Sequence, residues 1–336
     1  MKNIVAVLSL IICFHPCRAQ KDNPLFSAED PIQLRATGSV KNIRKETNDT
    51  TFVNGKFLYE KTPGEWITID TEARVRGNFR LKNCYFPPLK LKFKKKSIES
   101  TVFEGNKSVK LVLPCKNNSS MNTQIRKEYL CYKFYEAITP YHFKTRLANL
   151  QLTETTKSKP RVFDLLSILV EDNDKVAKRT NGKIIEVKGL GPGSFDEKQS
   201  LRNDYFQYLI GNTDWSTVFQ HNSNILLVGD AYLPLPYDFD MAGLVNASYM
   251  QVSSEVSTGD PRDRVYRGFC KSPASMEEIR KEYLTKESVI QALIAEQSSQ
   301  FKEYDVKDIH NYVNQFYDIL KSDDLFKTRI LEGCRK

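Results

Sequence analysis

Beyond residue 20 the sequence lacks any apolar run approaching the roughly 20 residues that a membrane-spanning helix needs, so no integral membrane domain is expected. Over the same span it lacks a CxxC pair and any Cys/His cluster, so structural zinc is not indicated. There is no internal repeat and no low-complexity tract. With 15 glycines and 14 prolines spread over 336 residues, collagen-like and disordered classes are excluded. No nucleic-acid-binding motif is present.

What is there is an ordinary globular composition, 40% apolar and 27% charged, long enough for about two domains of about 150 residues or for one domain with two lobes. A chain of this length buries about 75% of its unfolded surface and holds a core without staples.

The first residues read as an address. Lys2 supplies a positive start, Ile4–Phe14 an apolar stretch, and Cys17-Arg18-Ala19 small residues at the third and first positions before a cut at Gln20. Residues 1–19 are therefore expected to be a signal peptide, of a kind that suits a Gram-negative bacterium. Ile12 before Cys13 and Pro16 before Cys17 do not fit a lipobox. Cutting there removes Lys2, Arg18 and no acid, which lowers the net charge from +9 to +7. The exported product would reach the periplasm, the cell surface or the medium, where disulfides form. It would keep Cys84, Cys115, Cys131, Cys270 and Cys334, an odd count. The favoured pairing is Cys84 with Cys115 and Cys270 with Cys334, leaving Cys131 buried on a helix.

Residues 20–50 are polar and read as an N-terminal extension that starts as a loose tail. Strand-like runs follow at Thr51–Tyr59, Ile67–Arg76, Leu89–Phe93 and Val109–Leu113. Ser119 and Ser120 offer caps for a helix near Asn122–Thr139, and two more strands are expected at Thr145–Leu152 and Phe163–Val170. After Glu171 the pattern turns helical, with helices from Ser200, from a Ser275–Glu278 capping box and from Asp305. The spacing predicts an α+β protein in two lobes, a strand-rich one with a single helix over 51–155 and a mainly helical one over 156–336. The join is placed at the polar stretch Thr153–Arg161.

Residues 74–96 hold nine basic side chains and no acid, which equals the whole excess charge of the chain. Such a cluster fits nucleotide phosphates or an acidic surface. In Leu89-Lys90-Leu91-Lys92-Phe93 the lysines share one strand face. That face can equally be plain solvated surface. Gly77, in Arg76-Gly77-Asn78, permits a tight turn and close backbone approach to a phosphate.

Residues 211–242 form the most informative segment. Asp214 follows a helix end. His221-Asn222-Ser223-Asn224 enters one short strand, and a second strand leads to Asp238-Phe239-Asp240. The hairpin brings amide and carboxylate oxygens together in a set suited to Mg²⁺ or Mn²⁺. Protein kinases place a catalytic Asp, an Asn and a second Asp in this order. The catalytic Asp usually lies about five residues before the Asn. Here Asp214 lies ten before Asn224, which requires an insertion. His221 reads more simply as a structural histidine than as a base.

Over residues 70–250 these pieces resemble the spore-coat CotH kinase family of atypical secreted kinases. The matching pieces are Arg76-Gly77-Asn78, Leu91-Lys92-Phe93, Ile125-Arg126, Ser167–Glu171, His221-Asn222 and Asp238-Phe239-Asp240. The segments VEDNDKVAKR and FPPLKLKF mark a divergent member. The resemblance implies a two-lobed protein-kinase-like fold that moves the γ-phosphoryl group of ATP to Ser or Thr of an exported protein. It implies Asp214 as the catalytic residue and Arg76, Gly77, Lys92, Arg126 and Glu128 as ATP-binding residues, with Lys90 or Lys110 as alternatives to Lys92 and Glu128 as the partner of that lysine. Asn224, Asp238 and Asp240 would hold Mg²⁺ or Mn²⁺. The competing expectation is a catalytically inactive kinase-like binding module that uses the basic surface 74–96.

Overall fold

The computed structural model describes residues 23–251, 256 and 259–336. The expected signal peptide, 1–19, lies outside the described residues. Ten strands and nine α-helices are described, in the order β1 (Ile32–Gly38), α1 (Val40–Glu46), β2 (Val53–Thr62), β3 (Glu65–Val75), α2 (Phe79–Asn83), β4 (Leu89–Phe93), α3 (Lys95–Ile98), β5 (Ser108–Val112), α4 (Ser119–Ile138), β6 (Thr145–Glu154), β7 (Arg161–Val170), α5 (Asn173–Arg179), β8 (Lys183–Ile185), α6 (Glu197–Ile210), β9 (Ser223–Val228), β10 (Ala231–Pro236), α7 (Pro273–Gln297), α8 (Glu303–Lys321) and α9 (Asp323–Phe326).

The first seven strands close into a barrel in the order β1-β2-β3-β4-β5-β7-β6. Every neighbouring pair is antiparallel except β1 with β6, which run parallel and shut the barrel. Period-two alternation turns Leu34, Phe57, Ile69, Leu91, Leu111 and Leu150 into its interior. A separate three-stranded sheet has the order β10-β9-β8.

This architecture corrects the expected fold. The strand-rich half is not the open lobe of a two-lobed kinase-like fold but a closed mixed barrel. The stretch read as a loose tail contributes β1, and Ile32 and Leu34 bury their side chains in the barrel because IQLRATG alternates at its start. The supposed join at Thr153–Arg161 is the turn of the β6–β7 hairpin. Helix α4, assigned from sequence to the strand-rich lobe, shares a core with α6, α7 and α8 through Phe134, Ile138, Phe206, Tyr283 and Phe316.

Local signals explain the helix ends. Asn118, rather than a serine, caps α4 by accepting from the Met121 N–H at 3.0 Å. Ser272 caps α7 ahead of Pro273, so Ser275 lies inside the helix. Gly211 ends α6 in the left-handed conformation, φ 63°. The disulfides join Cys84 to Cys115 and Cys270 to Cys334, and Cys131 is free and buried.

Candidate active site

Strand β3 leaves the barrel at Val75 and turns sharply at Gly77, whose φ of 77° disfavours any residue with a Cβ. The turn delivers α2, which carries Arg80 inward. The Arg80 guanidinium donates to the Leu113 carbonyl and lies 3.7 Å from Glu128 of α4 and 3.8 Å from Asp240. Burial works against its charge, but Tyr249, Asp240, Glu128 and Asp238 outweigh burial and hold it protonated.

One arginine faces two buried carboxylates. Burial drives the Glu128 carboxyl upward, Asp240 and Asp238 add to the rise, and Arg80 opposes it. Asp240 is pushed up to about 7 by burial and by Asp238, against Arg80 and the Tyr249 hydroxyl, which donates to its Oδ2 at 3.0 Å.

The β9–β10 hairpin supplies the rest. The Tyr237 N–H donates to the Asn222 carbonyl at 3.0 Å, so Asn222 stands level with the end of β10. Asp238 follows with φ 64°, a strained conformation for a non-glycine residue, and its N–H donates to the Tyr132 hydroxyl at 3.0 Å. Phe239 anchors this turn against Tyr132 and Phe206. Among the described residues the Asp238 carboxylate has neither a hydrogen bond nor an ion pair.

Asp214 sits on the loop after α6 and is held from both sides. Its Oδ1 meets His221 Nε2 at 2.8 Å, and the Asn222 amide donates to its Oδ2 at 3.0 Å and to its carbonyl at 2.8 Å. The Asp214 and His221 side chains are 39% and 57% exposed.

These pieces surround one cavity of about 710 Å³, lined by Arg76, Gly77, Asp214, Asn222, Asp238 and Asp240 among others. Five expected site residues are therefore brought together: Arg76, Gly77, Asp214, Asp238 and Asp240. Glu128 lies beneath them and pairs with Arg80 instead of a lysine.

Three expected residues are elsewhere. Lys92 is exposed, its ammonium 3.8 Å from the Phe52 ring centroid, on the same outer face of the barrel as Lys90 and Lys110. Arg126 lines a different cavity of about 730 Å³ with Trp66 and Gln300. The Asn224 amide donates to Asn173 at 3.3 Å, two residue pairs further along the hairpin than Asn222, which lines the cavity.

Lys110, one of the two alternatives to Lys92, is buried. Arg74, Lys90 and Lys110 stand directly opposite one another across β3, β4 and β5. Like charges at such positions repel. Asp172 relieves them, 3.0 Å from Lys90, while Lys110 donates to Asn173 at 2.9 Å. Burial first, then Arg76 and Lys90, push the Lys110 ammonium down to about 7, with Asp172 and Asp238 opposing. Of the groups that sequence reading passed over, Arg80 carried a signal, standing four residues after Arg76. Asp172, Asn173 and Tyr249 carried none, since only folding brings them here.

No protein-family model matches the chain, and no curated protein matches it. The CotH resemblance thus rests on the short motifs. Among the described residues no three His, Cys, Asp or Glu side chains gather to hold a metal ion. Of the expected trio Asn224, Asp238 and Asp240, Asn224 donates its amide to Asn173, and Asp240 accepts from Tyr249 and lies 3.8 Å from Arg80. The open Asp238 carboxylate suits a different arrangement. Mg²⁺ commonly takes one or two carboxylates and completes its shell with water and substrate phosphates.

Proposed function

We propose that this is an exported, metal-dependent phosphoryl transferase of the CotH kind, moving the γ-phosphoryl group of ATP to a Ser or Thr hydroxyl of an exported protein. The observation that carries the reading is Asp238: an unpartnered carboxylate on a strained turn, in the same cavity as Arg76, Gly77 and Asp214. A volume of about 710 Å³ falls within the range of small-molecule and cofactor sites, about 300–1,000 Å³. The two disulfides support an oxidising compartment.

In this reading Asp238 would hold the Mg²⁺ or Mn²⁺ of the nucleotide complex, and that ion would supply positive charge to the phosphates. Arg76 and the Gly77 turn hold the phosphate chain. Lys110, near its point of neutrality, gains its proton when an anion binds beside it. Asp214, aligned by His221 and Asn222, accepts a hydrogen bond from the substrate hydroxyl. As that oxygen bonds to the γ-phosphorus, the bond to ADP breaks and the hydroxyl proton passes to the Asp214–His221 pair.

The second reading, a binding module on the basic 74–96 surface, is favoured by Lys94, Lys95 and Lys96. All three are exposed and have no ion partner among the described residues. Thermal unfolding of residues 20–336 with ATP and Mn²⁺ separates the two. The enzyme reading expects stabilisation that needs both ligands and disappears in Asp238→Asn, with ³²P transfer to protein lost in Asp214→Asn. The absence of any shift at millimolar ligand, together with partner binding lost on reversing Lys94–Lys96, would establish the module instead.

A further inference from the structure

The barrel interior is filled at one end and hollow at the other. At the filled end Phe57, Tyr59, Phe93 and Phe103 pack ring to ring, with centroids 5.2–5.9 Å apart. Toward the opposite end, on the same inward-facing positions, the chain places small residues: Ala36, Gly38, Gly55, Thr71 and Ala73. No heavy atom lies within 4 Å of where a Gly38 Cβ would sit, and a Gly55 Cβ would meet only the Thr71 methyl at 3.9 Å.

The missing side chains leave a cavity of about 310 Å³, walled by Leu34, Leu91, Leu111, Leu113 and Leu150. Protein interiors normally close-pack, and voids larger than a water are few. The cavity is therefore a built space rather than a packing defect, since five separate positions on three strands leave it open.

Its mouth is covered by α1, a short helix with no fully buried residue. Val40 and Ile43 line the cavity, while Lys41 and Lys45 are exposed. The cover is held by Ser39, which caps the Asn42 N–H, and by Arg44, which donates to the carbonyls of Leu81, Cys84 and Tyr85. The rim carries the hydroxyls and amides of Ser39, Asn42, Asn54 and Thr155. Of its charges, Lys56 is paired with Asp70 at 3.5 Å, which leaves Glu46 to repel an anionic head group.

We propose that this end of the barrel binds a single aliphatic chain bearing an uncharged, hydrogen-bonding head group. The chain lies among the leucines, the head meets the rim hydroxyls and amides, and α1 closes over it. Closed barrels of about this strand number are just wide enough for one small ligand. At about 30 Å³ per water volume the cavity equals about ten waters, and a methylene group is of similar size, so a chain of about ten carbons fits. This inference does not depend on the phosphoryl-transfer reading.

The test uses the full chain and the reporter N-phenyl-1-naphthylamine, with 1-decanol as competitor. Decanol is expected to displace the reporter, decanoate at least tenfold more weakly, and 1-butanol not at all. Gly55→Leu fills the cavity from an inward position and is expected to weaken decanol binding at least tenfold while raising the unfolding midpoint. Should that variant fail to fold, Ala73→Val is the milder filler and is expected to show the same loss. Lys41→Glu, on the outer face of α1, is expected to bind as the parent does. Phosphatidylcholine vesicles distinguish a free chain from a lipid tail. Co-sedimentation that Gly55→Leu abolishes would identify the lipid tail as the source of the same chain. Reporter or vesicle binding undiminished in a folded filled variant, or decanol that fails to displace, overturns the proposal.

Discussion

Arg80 of α2 meets Glu128 of α4 at 3.7 Å, with only 5% and 2% of the two side chains in contact with solvent. This ion pair ties the segment that follows the Gly77 turn to the helix shared by the barrel and the helical core. The same guanidinium lies 3.8 Å from Asp240, so one cation answers for two buried acids. Removing one member of a buried pair leaves an uncompensated charge and costs about 3–5 kcal/mol. Arg80→Met is therefore expected to destabilise by about that amount, and Arg80→Met combined with Glu128→Gln by clearly less. Urea unfolding of the two variants checks this. Equal losses in both would show that the charge on Glu128 is not what Arg80 neutralises.

Gly77→Ala probes the turn without crowding, since nothing lies within 4 Å of the new methyl group. Its φ of 77° is the whole penalty, about 1–2 kcal/mol for an L-residue. Under the proposed function the loss falls on nucleotide binding, because relaxing the turn moves Arg76. A midpoint change of that size with unchanged ATP affinity would separate the turn from the site.

Asp204, buried on α6, is pushed up to about 7 by desolvation, against the Asn203 amide and the charges of Arg335 and Lys271. Its ordinary value is 3.8. Between those two values the folded state holds more protons than the unfolded one, so this group lowers stability as pH rises from about 4 to about 7. Above about 7 its penalty is complete. Asp204→Asn is expected to flatten that fall and to unfold at higher urea than the parent at pH 8. Urea midpoints of the two proteins from pH 4 to 8 measure the difference, and parallel curves would refute the assignment.

The Cys270–Cys334 bridge spans 64 residues and pins the C-terminal segment beside Phe269, where the Cys270 N–H donates to the Arg335 carbonyl at 2.8 Å. Replacing both cysteines by serine is expected to cost about 2–4 kcal/mol. The Cys131 thiol is pushed well up by burial and by Glu128, and so resists labelling in the native protein. Iodoacetamide modification should reach it only in denaturant. Labelling at the same rate in native buffer would show that the α4 core opens readily.

Much of the secondary structure was legible because its signals are local. The alternation in LKLKF, the Asn and Ser residues near helix starts and Gly211 after α6 act within a few residues of themselves. Leu89–Phe93 as a strand and Ile210 as a helix end fall where expected. Strand β1 was missed because its alternation is brief and one of its two partners, β6, lies more than a hundred residues away. Lys90, Lys92 and Lys110 share the outer face of the barrel, and motif spacing cannot report which part of that face is covered: Phe143 and Tyr237 bury Lys110, while Lys92 stays exposed. Spacing likewise could not show that Asn222, level with Tyr237 just past β10, lines the cavity while the Asn224 amide donates to Asn173.

The sequence by itself determined which chemistry is on hand: a basic stretch without acids, a glycine turn, and Asp214, Asp238 and Asp240 at the ends of short strands. Covalent connectivity and short-range propensity suffice for that. Tertiary structure alone decided the rest. Barrel closure depends on a parallel pairing of distant strands. The Arg80 cluster depends on α2, α4 and the β10 turn meeting at one point. The hollow at one barrel end depends on small residues from three strands facing the same space. Each is a relation between segments far apart in the chain, set by packing and register, and no single stretch of sequence carries it.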